Sequence, residues 1–422
     1  MPITPLSSGD KQTLALADVG VVRNALGKLT AHPVPPWLRP GHPYPDGAPP
    51  KANAAFTAVA ADDLLEIIAV RGPLHSIDGW GYLGRALNAL LTGQAHAARH
   101  LAYYAELRAA LSILASAGIG VFNRQNVVVD AAGQIHAMAE RGTHDMCWAA
   151  IVEWATLESS LQHLIKPIEL AGGSLLDPFL EFFPAGTSML AGRLMADWGF
   201  DLEQGATDRG ERNWSSYQPS ALGLLATNPA DDAAFLRMFW RALRPKGIEL
   251  ERHLLRILLE SAARFHGTEI NEYQHPYDRL DDRLKAIIPF DFLTRIDTAV
   301  DHVFLCHVSA KSMPAHPYSM ICRAGLLLKL ATGIAEDNLI CAGIQPAVLF
   351  DSWWRDFGLS HGLWDPSYPP ADNIDLWQDI DLALEDVSNA PVDNRHAWIS
   401  GLGGSSMRIC EAERAALWGL FQ

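Results

Sequence analysis

Apolar residues recur at three- and four-residue steps over about residues 94–117, where Leu101, Tyr104, Leu107, Leu111 and Leu114 share one stripe of a helix. Gly118 follows as a natural C-terminal stop. The same spacing marks residues 9–29 as one helix and the run LLEIIAV after Asp62 and Asp63 as a short one. A turn is expected around Gly72 and Pro73, with helical spacing resuming over 76–92. Further helices are predicted at about 145–164, 187–197, 232–265, 292–307 and 319–335, and a last one at about 405–420. The run NVVVDAAGQIHAMA, 126–139, instead carries two short β-prone stretches around Asp130 to Gly133 and predicts a β-hairpin. The pattern predicts a mainly α fold, an irregular multi-helix bundle with one small hairpin.

Two stretches interrupt it. Residues 30–52 are dense in Pro, which removes backbone donors and fixes φ, so they form an extended arm or a wrapped segment pinned by Trp37 and Tyr44. Residues 345–400 are rich in Trp and broken by Pro. The expected division is therefore an N-terminal helix and arm (1–53), a helical body (54–335), and a Trp-rich segment with a closing helix (336–422).

Composition narrows the function classes. Hydrophobic residues are 49% and charged residues 19% of the 422, which is a folding composition. The net charge of −15 opposes a broad electrostatic grip on nucleic acid, which needs a basic footprint. Five widely spaced cysteines without a CxxC pair argue against a disulfide framework or structural zinc and fit a reducing cytosol. The N-terminus has no basic and apolar leader pattern. The two greasiest stretches carry Glu106 and Arg108, and Arg323 and Lys329, at their centres, so no membrane span is expected and the protein reads as cytoplasmic.

On the long predicted helix, Tyr104 and Arg108 are four apart and share a face with Tyr103 close by. A guanidinium in an apolar stripe must find an acceptor. The expected partners are Glu211, Arg212, Asn213 and Tyr217 in GERNWSSYQP, which would staple two helices together. The run YYAELRAALSILASAGIG (103–120), the later Arg212, Asn213 and Tyr217, and helices on all sides resemble the HEPN superfamily of helical bundles, and in particular the YaaC-like bacterial proteins. The resemblance covers about a third of the chain. It implies a helical bundle from bacterial defence or stress-response loci, where some members are RNases and many are non-catalytic interaction modules.

RNases of that superfamily place an Arg and a His on one helix face, the His for acid–base work and the Arg for charge stabilisation. Arg295 and His302 in RIDTAVDH are the match here. It departs from the pattern in having Ile296 after the Arg and in lying far from Tyr104 and Arg108. On one helix the pair would sit two turns apart, about 10.5 Å along the axis. His302 and Cys306 are also spaced for a shared metal, but His307 points elsewhere and His316 follows Pro314 in a loop, so helix packing is the plainer account.

The Gly-rich turn at 401–404, in GLGGSSM before the last predicted helix, could present backbone N–H groups to a phosphate or simply precede an N-cap at Ser405 or Ser406. Trp353, Trp354, Trp364 and Trp377 suggest either a partner surface or the packing of a long loop. GxSxG, HExxH, GxxxxGK[ST] and strand–GxGxxG–helix motifs are absent, and no cofactor or metal is expected. The sequence therefore points first to a non-enzymatic accessory or interaction subunit with a protein partner or a second copy of itself. A metal-independent RNase and a small-molecule or nucleotide binder are the alternatives.

Overall fold

The computed structural model describes residues 3–29, 37–47, 59–186, 188–217, 228–244, 246–295, 302–312, 315–346, 359–360, 365–368, 373–389 and 395–402. It is 66% helix and 5% strand, so the mainly α expectation holds.

The chain opens with α1 (Ser8–Leu14) and α2 (Val19–Leu26), followed by α3 (Ala61–Leu91) and α4 (Ala95–Ser116). Strands β1 (Ile119–Phe122), β2 (Gln125–Val129) and β3 (Ile135–Ala137) come next, then α5 (Thr143–Trp154) and α6 (Ser160–Ile165). The two-residue strands β4 (Glu169–Leu170) and β5 (Gly173–Ser174) precede α7 (Leu176–Phe182), α8 (Ala191–Asp197), α9 (Gln204–Tyr217), α10 (Pro229–Ala242) and α11 (Glu249–Phe265). Short helices α12 (Gln274–Asp278), α13 (Asp282–Ile287), α14 (Phe290–Thr294) and α15 (Val303–Ser309) lead to α16 (Pro317–Cys341), α17 (Asn373–Asn389) and α18 (Arg395–Leu402).

The body is built on α3, α4 and α16, which pack against one another along their lengths. Small residues on α3 let this happen. A Cβ on Gly72 would sit 2.7 Å from Ser116 Oγ, and one on Gly79 would sit 2.4 Å from Leu328 Cδ2. The expected turn at Gly72–Pro73 does not form, and α3 runs straight through it. Pro73 forfeits one helical N–H, but both flanking segments are buried, and Ser112 Oγ donates to the Gly72 carbonyl at 2.7 Å. Burial on both sides outweighs a local break.

Helix α4 is buried on more than the one predicted stripe: Ala98, Ala102, Ala105 and Ala109 are fully enclosed, while Leu101 and Tyr104 are only half-buried. Helix α16 is long and apolar enough to cross a membrane, yet 89% of its most apolar window is buried inside the protein. It also crosses the boundary expected at residue 335.

The expected hairpin is the β2–β3 pair, with Val128 opposite His136. Its turn is closed by Asp130 Oδ1, which accepts from Ala132 N and Gln134 N at 2.9 Å each, and by Gly133 at φ +76°. β1 adds a third antiparallel strand, with Ile119 opposite Val128, directly after the predicted stop at Gly118 (φ +87°).

The single helix expected over 9–29 is two, because Asp18 starts a new one by accepting from Val21 N at 3.0 Å. Helix α2 is tied to the far end of α16: Arg23 Nε donates to Asn338 Oδ1 and its terminal nitrogen to Asp337 Oδ2, both at 2.9 Å. The Pro-rich arm is wrapped where it is described. Trp37 and Leu38 are buried with Val22, Leu64 and Ile67 in a second apolar cluster, and Arg39 pairs with Asp63 and Glu66 of α3.

Candidate functional site

A pocket of about 580 Å³ lies where α3 turns into α4, lined by residues 93–97, His100, Ser215 and Ser216. The turn is specified locally. Gly93, at φ +75°, follows the C-cap Thr92; Gly93 N donates to Leu90 O at 2.9 Å and Gln94 N to Ala89 O at 2.7 Å, the paired bonds of a Schellman stop. Arg395 of α18 donates to Leu91 O at 3.2 Å and so places a cation at the negative end of α3.

Helix α4 then begins without a side-chain cap, because the Gln94 amide turns back to Thr92 Oγ1 at 3.2 Å. The first-turn N–H groups of a 22-residue helix, with the positive end of its dipole, therefore border the pocket. His96 and His100, four apart, stand on the same face.

The opposite wall comes from α9. Ser216 Oγ and His100 Nδ1 share a hydrogen bond of 2.5 Å. Ser215 is 7% exposed, and its hydroxyl lies buried with no hydrogen-bond partner. A hydroxyl out of water and unpaired costs free energy that a ligand acceptor or donor would recover.

What holds α9 in place lies beneath. Asp208 accepts two hydrogen bonds of 2.9 Å from Arg323 of α16, and Glu106 Oε1 of α4 is 3.6 Å from the same guanidinium. Burial and the neighbouring Asp208 push the Glu106 carboxyl well above its usual range, against the pull of Arg323. Gly205 lies flat on the Trp148 ring of α5.

The residues singled out in the sequence are placed as follows. Arg108 finds acceptors on α3: one terminal nitrogen is 3.3 Å from Asp78 Oδ2 and 3.0 Å from His75 Nδ1. Burial, then Arg108 and Arg71, hold His75 well below its usual pKa, so it meets Arg108 as a neutral acceptor. Tyr104 stacks on Tyr82 at 5.2 Å between ring centres. The 211–217 patch does lie on α9, which packs on α4, and Asn213 is half-buried there; the side chains of Arg212 and Tyr217 lie outside the described residues.

Arg295 and His302 are not on one helix. Arg295 follows the end of α14 in extended conformation and His302 is the N-cap of α15, with 296–301 outside the described residues. They nevertheless meet on a third group, His253 of α11. Arg295 lies 3.2 Å from His253 Nδ1, and the His253 and His302 rings are 5.7 Å apart, edge to face. Burial, then His302 and the arginines around it, push His253 down to about 3; burial also lowers His302. His253 gave no signal in the sequence, where it is one residue on a helix face.

Cys306 is exposed, while His307 and His316 pack edge-on against Tyr318, and among the described residues no three His, Cys, Asp or Glu side chains form a group able to hold a metal. Trp377, for which the sequence left open a partner surface or the packing of a long loop, is 6% exposed on α17, with Arg244 stacked 4.7 Å from its ring centre. Its large apolar area is spent on the body. Trp353, Trp354 and Trp364 lie outside the described residues, as does the last predicted helix; of the Gly-rich turn, residues 401–402 close α18 and the rest lies outside. No protein-family model, no curated protein and no solved structure matches the chain.

Proposed function

We propose that this is a non-enzymatic, helical ligand-binding protein, an accessory subunit that responds to a small molecule carrying a phosphate or carboxylate. The observation that carries the reading is the buried, unpartnered Ser215 hydroxyl in a pocket of about 580 Å³ whose other wall is the uncapped start of α4. That volume suits a metabolite-sized ligand. Uncapped helix N–H groups, hydroxyls and imidazoles are the donors that anions take.

Binding to the folded state raises its melting temperature by mass action. Thermal-shift titration with inorganic phosphate, pyrophosphate, sugar phosphates and dicarboxylates is the test. A shift is expected for at least one of these. Ser215→Ala, which removes the hydroxyl and keeps the Cβ, should weaken it roughly 10- to 100-fold, the worth of one hydrogen bond to a charged group. No shift with any of these anions, or an equal shift in the variant, sinks the reading.

A second reading is favoured by the meeting of Arg295 and His302 on His253. Burial keeps both imidazoles in the neutral, proton-accepting form at pH 7, His253 as a weak base at about 3, and a guanidinium beside them can face a scissile phosphate. This is the arrangement a metal-independent RNase would use. Cleavage of single-stranded RNA in the presence of chelator, lost on His253→Asn, is its expected signature.

A further inference from the structure

The pocket at the start of α4 is bordered by a side chain from the far end of the chain. Arg395, the first residue of α18, lies along the pocket-lining Gly93: a Cβ on that glycine would come 3.2 Å from Arg395 Nε and 3.6 Å from its Cδ. One terminal nitrogen of Arg395 reaches Leu91 O at 3.2 Å and also donates to Asp232 Oδ2 of α10. Asp232 is fully enclosed and accepts a second bond, of 2.7 Å, from the Tyr318 hydroxyl of α16. The guanidinium is thus held by α3 and α10, with Nε its closest atom to Gly93.

That position matters electrostatically. The turn joins the C-terminal end of the 31-residue α3 to the N-terminal end of the 22-residue α4. An anion drawn to the first N–H groups of α4 also stands near the carbonyls that end α3, and those repel it. Arg395 covers the Leu90 and Leu91 carbonyls, and its positive charge lies beside the pocket. The residue that suits this turn to an anion therefore comes from α18.

Helix α18 is in turn bound to α17. Trp398, wholly buried, donates its indole N–H to Val387 O of α17 at 3.1 Å, and its ring centre lies 5.4 Å from the Arg395 guanidinium. Helix α17 packs along α10.

We propose that anion binding in this pocket is coupled, through Arg395, to the docking of α17 and α18 on the body. The proposal rests on the ligand reading given above and adds its regulation. Docked, the two helices complete the charge of the pocket, and a bound anion in turn holds Arg395 against Gly93. Such coupling is reciprocal, so docking tightens the ligand by the factor with which the ligand tightens docking. The ligand is thereby reported at the C-terminal helices.

The test is hydrogen exchange of the full chain over residues 373–389 and 395–402, with and without saturating pyrophosphate, beside calorimetric measurement of pyrophosphate affinity. Pyrophosphate should slow exchange in both helices by about threefold or more. Arg395→Gln, which keeps most of the length and loses the charge, should weaken pyrophosphate about five- to tenfold, the effect of a charge at a helix end, and remove the protection. Trp398→Ala changes a residue that does not line the pocket, yet it should loosen both helices and weaken binding as well. If that variant does not fold, Arg395→Gln decides alone. Ser215→Ala should require more pyrophosphate for the same protection. Pyrophosphate binding with unchanged exchange in α17 and α18, or with equal affinity in Arg395→Gln, would overturn the coupling and leave the pocket standing. No pyrophosphate binding would also overturn the coupling, and no thermal shift with any of the anions named above would take the pocket reading with it.

Discussion

Arg323 on α16 and Asp208 on α9 face each other inside the core through two hydrogen bonds of 2.9 Å. With Glu106 beside them, two carboxyls meet this guanidinium while the buried Arg99 also acts on Asp208, and the raised Glu106 carboxyl keeps its proton. Breaking this buried pair should be costly. Arg323→Met is expected to destabilise by about 3–5 kcal/mol, the cost of breaking a buried ion pair. Glu106→Gln, which mimics the protonated acid, should cost under about 1 kcal/mol. Urea unfolding of both variants checks the pair, and equal losses would show that Glu106 is ionised.

Stability should also depend on Glu336. Its pKa is about 8 folded against an ordinary 4.5, so the folded state holds the proton more tightly. The contribution is fully present below 4.5 and is lost as pH rises through 8, at most about 1.4 kcal/mol per pH unit. Glu336→Gln should flatten this part of the profile and be more stable than the parent at pH 9. Thermal melts from pH 5 to 9 measure it; parallel profiles would contradict the placement.

His253 behaves in the opposite sense. Its pKa falls to about 3, so the unfolded chain binds the proton first. Stability from this group is whole above the ordinary value near 6.5 and is lost as pH falls toward 3. His253→Asn should remove part of the acid destabilisation between these limits, as acid titrations followed by circular dichroism will show.

His302 serves α15 as well as the cluster, since its Nδ1 accepts from Phe304 N at 3.2 Å. His302→Ala should cost about 1 kcal/mol through the lost cap, whereas His302→Asn, a good cap, should cost little. If RNA cleavage is found, both variants must lose it. Loss in the alanine variant alone would assign His302 to structure.

Gly205 of α9 lies against Trp148, and a Cβ there would come within 2.4 Å of the ring. Gly205→Ala gains about 1 kcal/mol of helix propensity. The ring is 1% exposed and has nowhere to go, so the net is expected to be a loss of about 1–3 kcal/mol. Helix α9 should lift from α5, and anion binding at Ser215 should weaken with it.

The elements readable in the sequence were those decided within a few residues. Helix α4 with its stop at Gly118, and the turn held by Asp130 and Gly133, carry their own instructions. Gly72 and Pro73 misled, because burial against α4 decides there and that burial is not local. The same holds for partners. That Arg108 meets Asp78 depends on how α3 crosses α4, and nothing in the sequence makes Asp78 conspicuous. The pocket went unread: QAHAARH displays two histidines four apart, but nothing in it announces that Ser215, more than a hundred residues later, will close the other side. Glu251 and Lys329 came together in the same unannounced way.

Arg23 reaches across 314 residues of sequence to Asp337 and 315 to Asn338. A ribosome adds roughly 5–20 residues per second, so about 15–60 s separate the emergence of α2 from that of its anchor. Through that interval the apolar face of Val21, Val22 and Leu26 lacks Leu339, a member of the same buried cluster. Nascent-chain protection is therefore needed on α2 until the residues around Leu339 have been made.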